Sequence, residues 1–254
     1  MSATLAVEGL SVAFGGVKAV DALSFSVEAG TLKGVIGPNG AGKTTLFNAI
    51  SGFVAPQAGR VRVGGRDVTR LRPQARAALG LARTFQNLQL FARMTVLENV
   101  MVGAHVHLAS GWLAGLLGLA RREGQQAEAL ARVQLARLGL EAHAGRRAGD
   151  LGFAEGKLVE IARALAASPQ LLLLDEPIAG VPLHDQRRIA EVIRSVRAGG
   201  TTILLVEHNM RVVMDLCDEI LVMHHGARLA EGPPAQVAHD PDVIAAYLGT
   251  AAHA

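Results

Sequence analysis

Apolar and polar residues alternate over three early stretches, "TLAVEGLSVAFGG", "LSFSVEAG" and "GRVRVGGRDVTRL", separated by glycine turns. A period of two is that of a strand with one face buried, so these stretches predict antiparallel strands. A different pattern follows. "TLKGVIG", "QLLLLDEP", "TTILLVEH" and "EILVMHHG" are solidly apolar, and each adjoins a helical pattern. Strands with no polar face belong in a parallel sheet covered by helices on both sides. From about residue 75 to 149 the spacing is mostly helical, most clearly in "AEALARVQLARLGL", which Gly139 stops. In "AGDLGFAEGKLVEIARAL", Leu158, Ile161, Ala162 and Leu165 predict a helix entered near Gly152 to Glu155. The free N–H groups of that end attract anions, although no basic or hydroxyl side chain stands at the turn.

The 254 residues, half of them apolar, suffice for one large domain with a subdomain. The net charge of +3 comes from scattered arginines such as Arg121, Arg122, Arg146 and Arg147, with no basic block interleaved with aromatics. That argues against nucleic acid as the main partner. The single cysteine, Cys217, lies in the helical-looking "MRVVMDLCDEI", which predicts a small buried residue, no disulfide within the chain and a reducing, cytosolic setting. "MSATLAVEGL" has neither the basic start nor the apolar run of a signal peptide. "HVHLASGWLAGLLGLARR", interrupted by His107 and Ser110, is too short and glycine-rich to span a bilayer. It reads as a buried subdomain helix, with a membrane-surface helix as the alternative, so any membrane link is expected to run through a partner. The chain shows no internal repeat, low-complexity linker or long heptad run.

The strongest chemical signal is "GVIGPNGAGKTTLFNAI". An apolar strand ends at Gly37, the spacing Gly37-x-x-x-x-Gly42-Lys43-Thr44 follows, and a helix begins with Leu46, Ala49 and Ile50 on one face. This is a P-loop in its required context. Gly37, Gly40 and Gly42 let the backbone wrap the β- and γ-phosphates, Lys43 adds a positive charge, and Thr44 offers a hydroxyl to Mg²⁺. In "LLLLDEP" Asp175 leaves the carboxyl end of a buried strand, where open α/β sheets bind ligands. Asp175 suits water-mediated holding of Mg²⁺, and Glu176 suits orienting or deprotonating an attacking water. His208 closes the next strand at the same sheet edge, within reach of a γ-phosphate. Gln86, in "LARTFQNLQLF", reads from spacing alone as an ordinary loop residue. The expected fold class is α/β, a P-loop NTPase with a mostly parallel sheet, an antiparallel β-subdomain and a helical subdomain.

Taken together, the chain resembles the nucleotide-binding subunits of ABC transporters, most closely the LivG type of high-affinity branched-chain amino acid importers. The resemblance spans "GPNGAGKTTLFN" (Walker A), "RTFQNLQLFARMTVLENV" (Q-loop), "LLLLDEPIAG" (Walker B), "TTILLVEHNM" (switch histidine) and the tail "PDVIAAYLGTA". It implies the ABC ATPase fold as a single domain over residues 1–254: an antiparallel β-subdomain with the P-loop over 1–74, the Q-loop and helices over 75–149, and the signature, Walker B, switch histidine and C-terminal helix over 150–254. It implies that Phe14 stacks on adenine, and that Gly37, Pro38, Asn39, Gly40, Ala41, Gly42, Lys43, Thr44 and Thr45 hold the nucleotide. Thr44, Asp175 and Gln86 would serve Mg²⁺, Gln86 also linking the attacking water to the membrane subunit, with Glu176 as catalytic glutamate and His208 as switch histidine.

The implied cofactors are ATP and Mg²⁺. The implied partners are a second ABC ATPase, with a heterodimer expected, two integral membrane permease subunits and, indirectly, an extracytoplasmic solute-binding protein. Nucleic acid is not among them. The implied location is peripheral, on the cytoplasmic face of the inner or plasma membrane. Solutes of such importers include branched-chain and other amino acids, urea, amides and aromatic acids. A soluble ABC ATPase acting on DNA or ribosomes, or a regulator that has lost catalysis, are the other readings. The chain shows no coiled-coil, tandem ATPase or basic patch for the first, and Glu176 and His208 speak against the second.

Two departures from the family pattern stand out. The signature, Leu-Ser-Gly-Gly-Gln in the family, is matched by Leu151, Gly152, Phe153, Ala154 and Glu155. It lacks the serine hydroxyl, a hydrogen bond to a charged group of about 1.5 to 3 kcal/mol. Pro182 stands where the family places Asp or Asn. Both positions serve the opposite nucleotide of a head-to-tail dimer. Either the opposite site is slower, or main-chain donors suffice there.

Overall fold

The computed structural model describes residues 3–107 and 119–251. They form two compact units. The first comprises Met1–Arg83, Gln170–Glu176 and Ile193–Ala254, and the second Thr84–Pro169 and Pro177–Val192.

In the first unit β1 (Ala3–Phe14), β2 (Val17–Glu28), β4 (Ala58–Val63) and β5 (Arg66–Asp67) form an antiparallel sheet in the order β2-β1-β4-β5. The inward set of β1 runs Leu5, Val7, then Leu10, Val12. The slip of one residue is a β-bulge at Gly9, whose φ of 57° is natural only for glycine and which keeps both pairs on the core face.

The second sheet joins β3 (Leu32–Ile36), β6 (Leu81–Arg83), β7 (Leu171–Asp175), β8 (Thr202–Val206), β9 (Glu219–His224) and β10 (Ala227–Gly232) in the order β10-β9-β3-β8-β7-β6. All are parallel except β10, which pairs antiparallel with β9. Val35 and Asp175 are both in register with Val206, so the carboxyl ends of β3, β7 and β8 lie level. The core between the sheets takes Val35, Leu173, Leu204 and Leu221 from the second sheet, Val7, Phe25 and Val61 from the first, and Leu46, Phe47, Ala49 and Ile50 from helix α1 (Lys43–Ser51). The strands read from hydrophobic patterning are present. Two were not visible there: β6 has three residues, too few for a period, and β10 mixes polar and apolar positions with none fully buried.

Helices α2 (Pro73–Ala78), α7 (Met210–Leu216), α8 (Pro234–Val237) and α9 (Pro241–Ala251) also belong to the first unit. Cys217 is not inside a helix, as "MRVVMDLCDEI" suggested, but caps the end of α7. It is buried, and a Cβ on Gly34 would stand 2.8 Å from its sulfur, so glycine in β3 makes room for the thiol.

The second unit packs α3 (Val96–Ala104), α4 (Leu119–Arg137) and α5 (Phe153–Ala166) against one another. A capping box between Thr95 and Glu98 starts α3. A Cβ on Gly103 would lie 1.8 Å from the Arg163 carbonyl, so α3 and α5 cross backbone to backbone. Gly139 stops α4 at φ 66°, with Leu140 N–H bonded to the Leu135 carbonyl and Gly139 N–H to that of Ala136, a Schellman turn. Helix α6 (Leu183–Ala198) begins in the second unit and ends in the first. The three consecutive segments read from the sequence cut across these units, because the signature stretch is the start of α5 and packs with the helices. The apolar run at residues 105–122 falls largely outside the described residues.

Candidate functional site

The loop after β3 is built by close approach. Gly37 has φ 151°, and a Cβ there would lie 2.1 Å from the Met223 carbonyl; Gly42 has φ 100°, and its Cβ would lie 2.0 Å from the Ala19 carbonyl. No other residue fits either position without moving β9 or β2. Gly40, at φ 80°, faces open space beside exposed Asn39. Gly226 N–H donates to the Ala41 carbonyl at 3.1 Å and braces the loop from the β9–β10 turn. Gly42 caps α1 without a side chain, so no side chain takes the first-turn N–H groups of Lys43, Thr44 and Thr45. The Lys43 ammonium donates to the carbonyls of Gly37 at 2.6 Å and Pro38 at 3.0 Å. Burial lowers its pKa, and the Glu176 carboxylate opposes that shift.

Asp175 ends β7, buried, with Oδ2 2.8 Å from the Arg83 guanidinium. Arg83 also donates to Asn48 Oδ1 at 2.7 Å and Ser51 Oγ at 2.8 Å, both on α1. One cation therefore ties the phosphate-loop helix to the acidic strand. Glu176 follows with φ 47°, unusual for a residue with a side chain, and its N–H donates to the Val206 carbonyl at 2.9 Å. Its Oε2 lies 3.9 Å from Nδ1 of exposed His208. Next to His208, Glu207 is buried, its Oε2 accepting the His208 N–H at 3.2 Å. Phe14 is exposed at the end of β1, beside the Gly15–Gly16 turn. Tyr247, on α9, bonds to the Gly37 backbone, and burial pushes its phenol up to about 12.

Thr44 and Asp175 offer hard oxygen donors at the helix start and strand end. Among the described residues no three His, Cys, Asp or Glu side chains gather as a metal cage. That donor set fits Mg²⁺, which takes one or two protein oxygens and completes its shell with phosphates and water.

Gln86 and Leu151–Glu155 belong to the second unit. The Gln86 carbonyl accepts from Lys157 at 2.7 Å. Gly152 caps α5, and Glu155 turns back to accept its N–H at 3.1 Å, while His143 approaches Glu155 at 3.0 Å. Phe153 is exposed, its ring 5.7 Å from the Lys157 ammonium and close to Gly180. The Pro182 carbonyl accepts the N–H groups of Asp185 and Gln186.

The ABC transporter family model matches residues 20–179, and a model of the branched-chain amino acid ATP-binding cassette transporter matches 227–253. The chain is 42% identical over 250 residues to the high-affinity branched-chain amino acid transport ATP-binding protein LivG of Salmonella typhimurium, covering 97% of this chain and 98% of that one. Identity to BraF of Pseudomonas aeruginosa, a protein of the same description, is 41% over 250 residues, with the same coverage. This chain belongs to the ABC transporter ATP-binding subunits. A nucleotide-free ATP-binding cassette from an ABC transporter matches its structure at TM-score 0.85 and 36% identity, over 97% of this chain and 99% of that one. The ADP conformation of an ATP-binding cassette of an ABC transporter matches at 0.86 and 36%, over 98% and 100%. The cassette therefore binds nucleotide and is an ABC-type ATPase within a transporter that has permease components.

The first unit of the ATPase brings together Gly37–Thr45, Asp175, Glu176 and His208 at one sheet edge. Three of its residues escaped sequence reasoning. Arg83 ends the short strand β6, to which the sequence reading gave no role, and reaches partners 32 to 92 positions away. Glu207 sits in an apolar strand pattern that gave it no role. Tyr247 had a signal, the quoted tail, but nothing in the sequence aims it at Gly37.

Proposed function

We propose that this ATPase is the energy-coupling subunit of an importer for branched-chain or related amino acids. It would work at the cytoplasmic face of the membrane, in a heterodimer with a second ABC ATPase beneath two permease subunits. The observation that carries the reading is the common edge of β3, β7 and β8, which sets Lys43, Asp175, Glu176 and His208 around one phosphate loop. LivG and BraF, named for branched-chain amino acid transport, and the match at 227–253 support the solute class. Urea, amide or aromatic-acid import would use the same ATPase, since the solute meets only the binding protein and permease.

The residues act as follows. Phe14 stacks on adenine. The N–H groups from Asn39 to Thr45, with Lys43, hold the β- and γ-phosphates, and Lys43 exchanges its two loop carbonyls for phosphate oxygens. Glu176 orients the attacking water and takes its proton on a carboxylate oxygen, while His208 steadies that carboxylate and senses the γ-phosphate. Thr44 and Asp175 would hold Mg²⁺, with Gln86 as the further partner that the family resemblance implies, and the ion when bound would supply positive charge at the transferring phosphoryl group. Leu151–Glu155 grips the partner's nucleotide through main-chain donors, without the serine hydroxyl.

Affinity purification of the tagged Glu176→Gln chain from its own membranes, with ATP and Mg²⁺, tests the assignment. Co-purifying polytopic subunits and a second ATPase are expected; soluble proteins or nucleic acid alone would overturn it. In that heterodimer the site built on this Walker A should be the faster one. Equal losses of turnover from Glu176→Gln here and the matching change in the partner would overturn that asymmetry.

A further inference from the structure

The four residues Gln86–Gln89 form no regular structure, yet they are held from one side by helix α5. The Lys157 ammonium donates to the Gln86 carbonyl at 2.7 Å. Glu160 Oε1 accepts the Gln89 N–H at 2.7 Å, and the Arg163 guanidinium donates to the Gln89 carbonyl at 2.6 Å. Residues 157, 160 and 163 are three apart and share one stripe of the helix. Between the anchors Leu88 lies on the helix itself, for a Cβ on Gly156 would be 2.8 Å from Leu88 Cδ2. Beyond them, buried Asn99 of α3 accepts the Phe91 N–H at 2.9 Å and donates to its carbonyl at 3.1 Å.

Lys157 and Glu160 are each only 2% exposed. Buried charges are costly, and replacing them by apolar side chains is often neutral or stabilising for a fold. Here all three charged groups of the stripe reach backbone atoms of one loop, and Arg163 also pairs with Glu160 at 3.6 Å. We propose that Lys157, Glu160 and Arg163 are positioning residues that clamp the Q-loop to the signature helix, so that Gln86 and the turn at Leu151–Glu155 move as one body. The inference rests on the ATPase reading above. It adds a route by which engagement of that turn by the partner's nucleotide shifts Gln86: the first anchor, Lys157, follows the cap of α5, Gly152, by only five positions. A helix turn transmits such a displacement without loss, whereas a loop tethered by water would absorb it.

The test uses the full chain and its assembled complex. Glu160→Leu removes the acceptor of the Gln89 N–H, and Glu160→Gln keeps one. Amide hydrogen exchange at Gln89 is expected to quicken about ten- to a hundredfold in the leucine variant, matching loss of a bond to a charged group, and to return close to the wild-type rate in the glutamine variant. In the complex with its permease, ATP turnover should show a lowered kcat with an unchanged KM for ATP in the leucine variant, again rescued by glutamine. A purely structural role would instead lower thermal stability in both variants without separating kcat from KM, and would overturn the proposal. Unchanged exchange at Gln89 would overturn it too. If Glu160→Leu does not fold, Arg163→Met, which removes the donor to the Gln89 carbonyl, is read by the same split of kcat from KM, and an unchanged kcat there would overturn the proposal. Lys43→Ala is the control for the underlying reading: nucleotide binding unaffected by that change would refute the ATPase site while the exchange result stood on its own.

Discussion

Replacing Arg83 by methionine should destabilise the first unit more than any surface substitution. The side chain is 7% exposed and Asp175 is 5% exposed, so the 2.8 Å ion pair between them is shielded from water. Methionine keeps the stem that packs near Phe47 and Phe53 but loses the guanidinium, which stands 5.7 and 5.9 Å from those rings. It also loses the bonds to Asn48 and Ser51 that fasten α1 to β7. Removing one partner of a buried pair costs about 3–5 kcal/mol, mostly because the remaining charge stays buried. The bonds to Asn48 and Ser51, whose donor is charged, add about 1.5–3 kcal/mol each, offset by no longer desolvating a guanidinium. Urea unfolding of wild type, Arg83→Met, Asp175→Asn and the double variant gives the pair energy by a thermodynamic cycle. Arg83→Met is expected to lose about 3–5 kcal/mol, and Asp175→Asn in the same chain should recover much of it. A loss below about 1 kcal/mol, the range of exposed pairs, or strictly additive effects would refute the reasoning.

Other outcomes follow from the buried titrating groups. Tyr247 is the chain's single tyrosine, so tyrosinate absorbance reports it alone. Its folded-state pKa of about 12 lies above the ordinary value, so its contribution to stability is present below pH ~10 and is lost as the pH rises from there through about 12; ionisation of the folded chain near pH 10 would contradict burial of the phenol. Cys217, pushed up to about 12 by burial and Asp218, should react with a thiol reagent at pH 8 at least about a hundredfold more slowly in the folded chain than in urea. Lys43 has a lowered pKa and must be protonated to meet phosphate, so ATP affinity measured by calorimetry should begin to fall at a pH below the lysine's ordinary value; an affinity flat to that value would count against Lys43 as the phosphate ligand.

What was legible in the sequence was local. The P-loop could be read because its glycines, lysine and threonine lie within eight consecutive residues, Gly37 to Thr44, between a strand and a helix. The two sheets could be read because burial on one face and on both faces leaves different periods. Illegible were the contacts made between distant segments. Arg83 and Asp175 are 92 positions apart, and the Q-loop and α5 anchors more than 70. Lys157, Glu160 and Arg163 look in sequence like the solvated side of an amphipathic helix, since nothing local says that a loop will cover it. Phe14, exposed at the end of β1, and Gln86, an exposed loop residue, have roles that came from resemblance alone. The N-terminus of α5 was correctly placed, but sequence did not reveal that Glu155 would turn back onto Gly152.

The most direct test of the central claim is phosphate release by the Glu176→Gln chain in its assembled transporter, measured beside ATP binding. The account predicts ATP affinity close to wild type and turnover lowered by at least about a hundredfold, because the phosphate loop and Lys43 are untouched while the group that orients the water has lost its charge. Turnover equal to wild type would contradict Glu176 as the catalytic carboxylate and, with it, the assignment of the β3–β7–β8 edge as the site of hydrolysis.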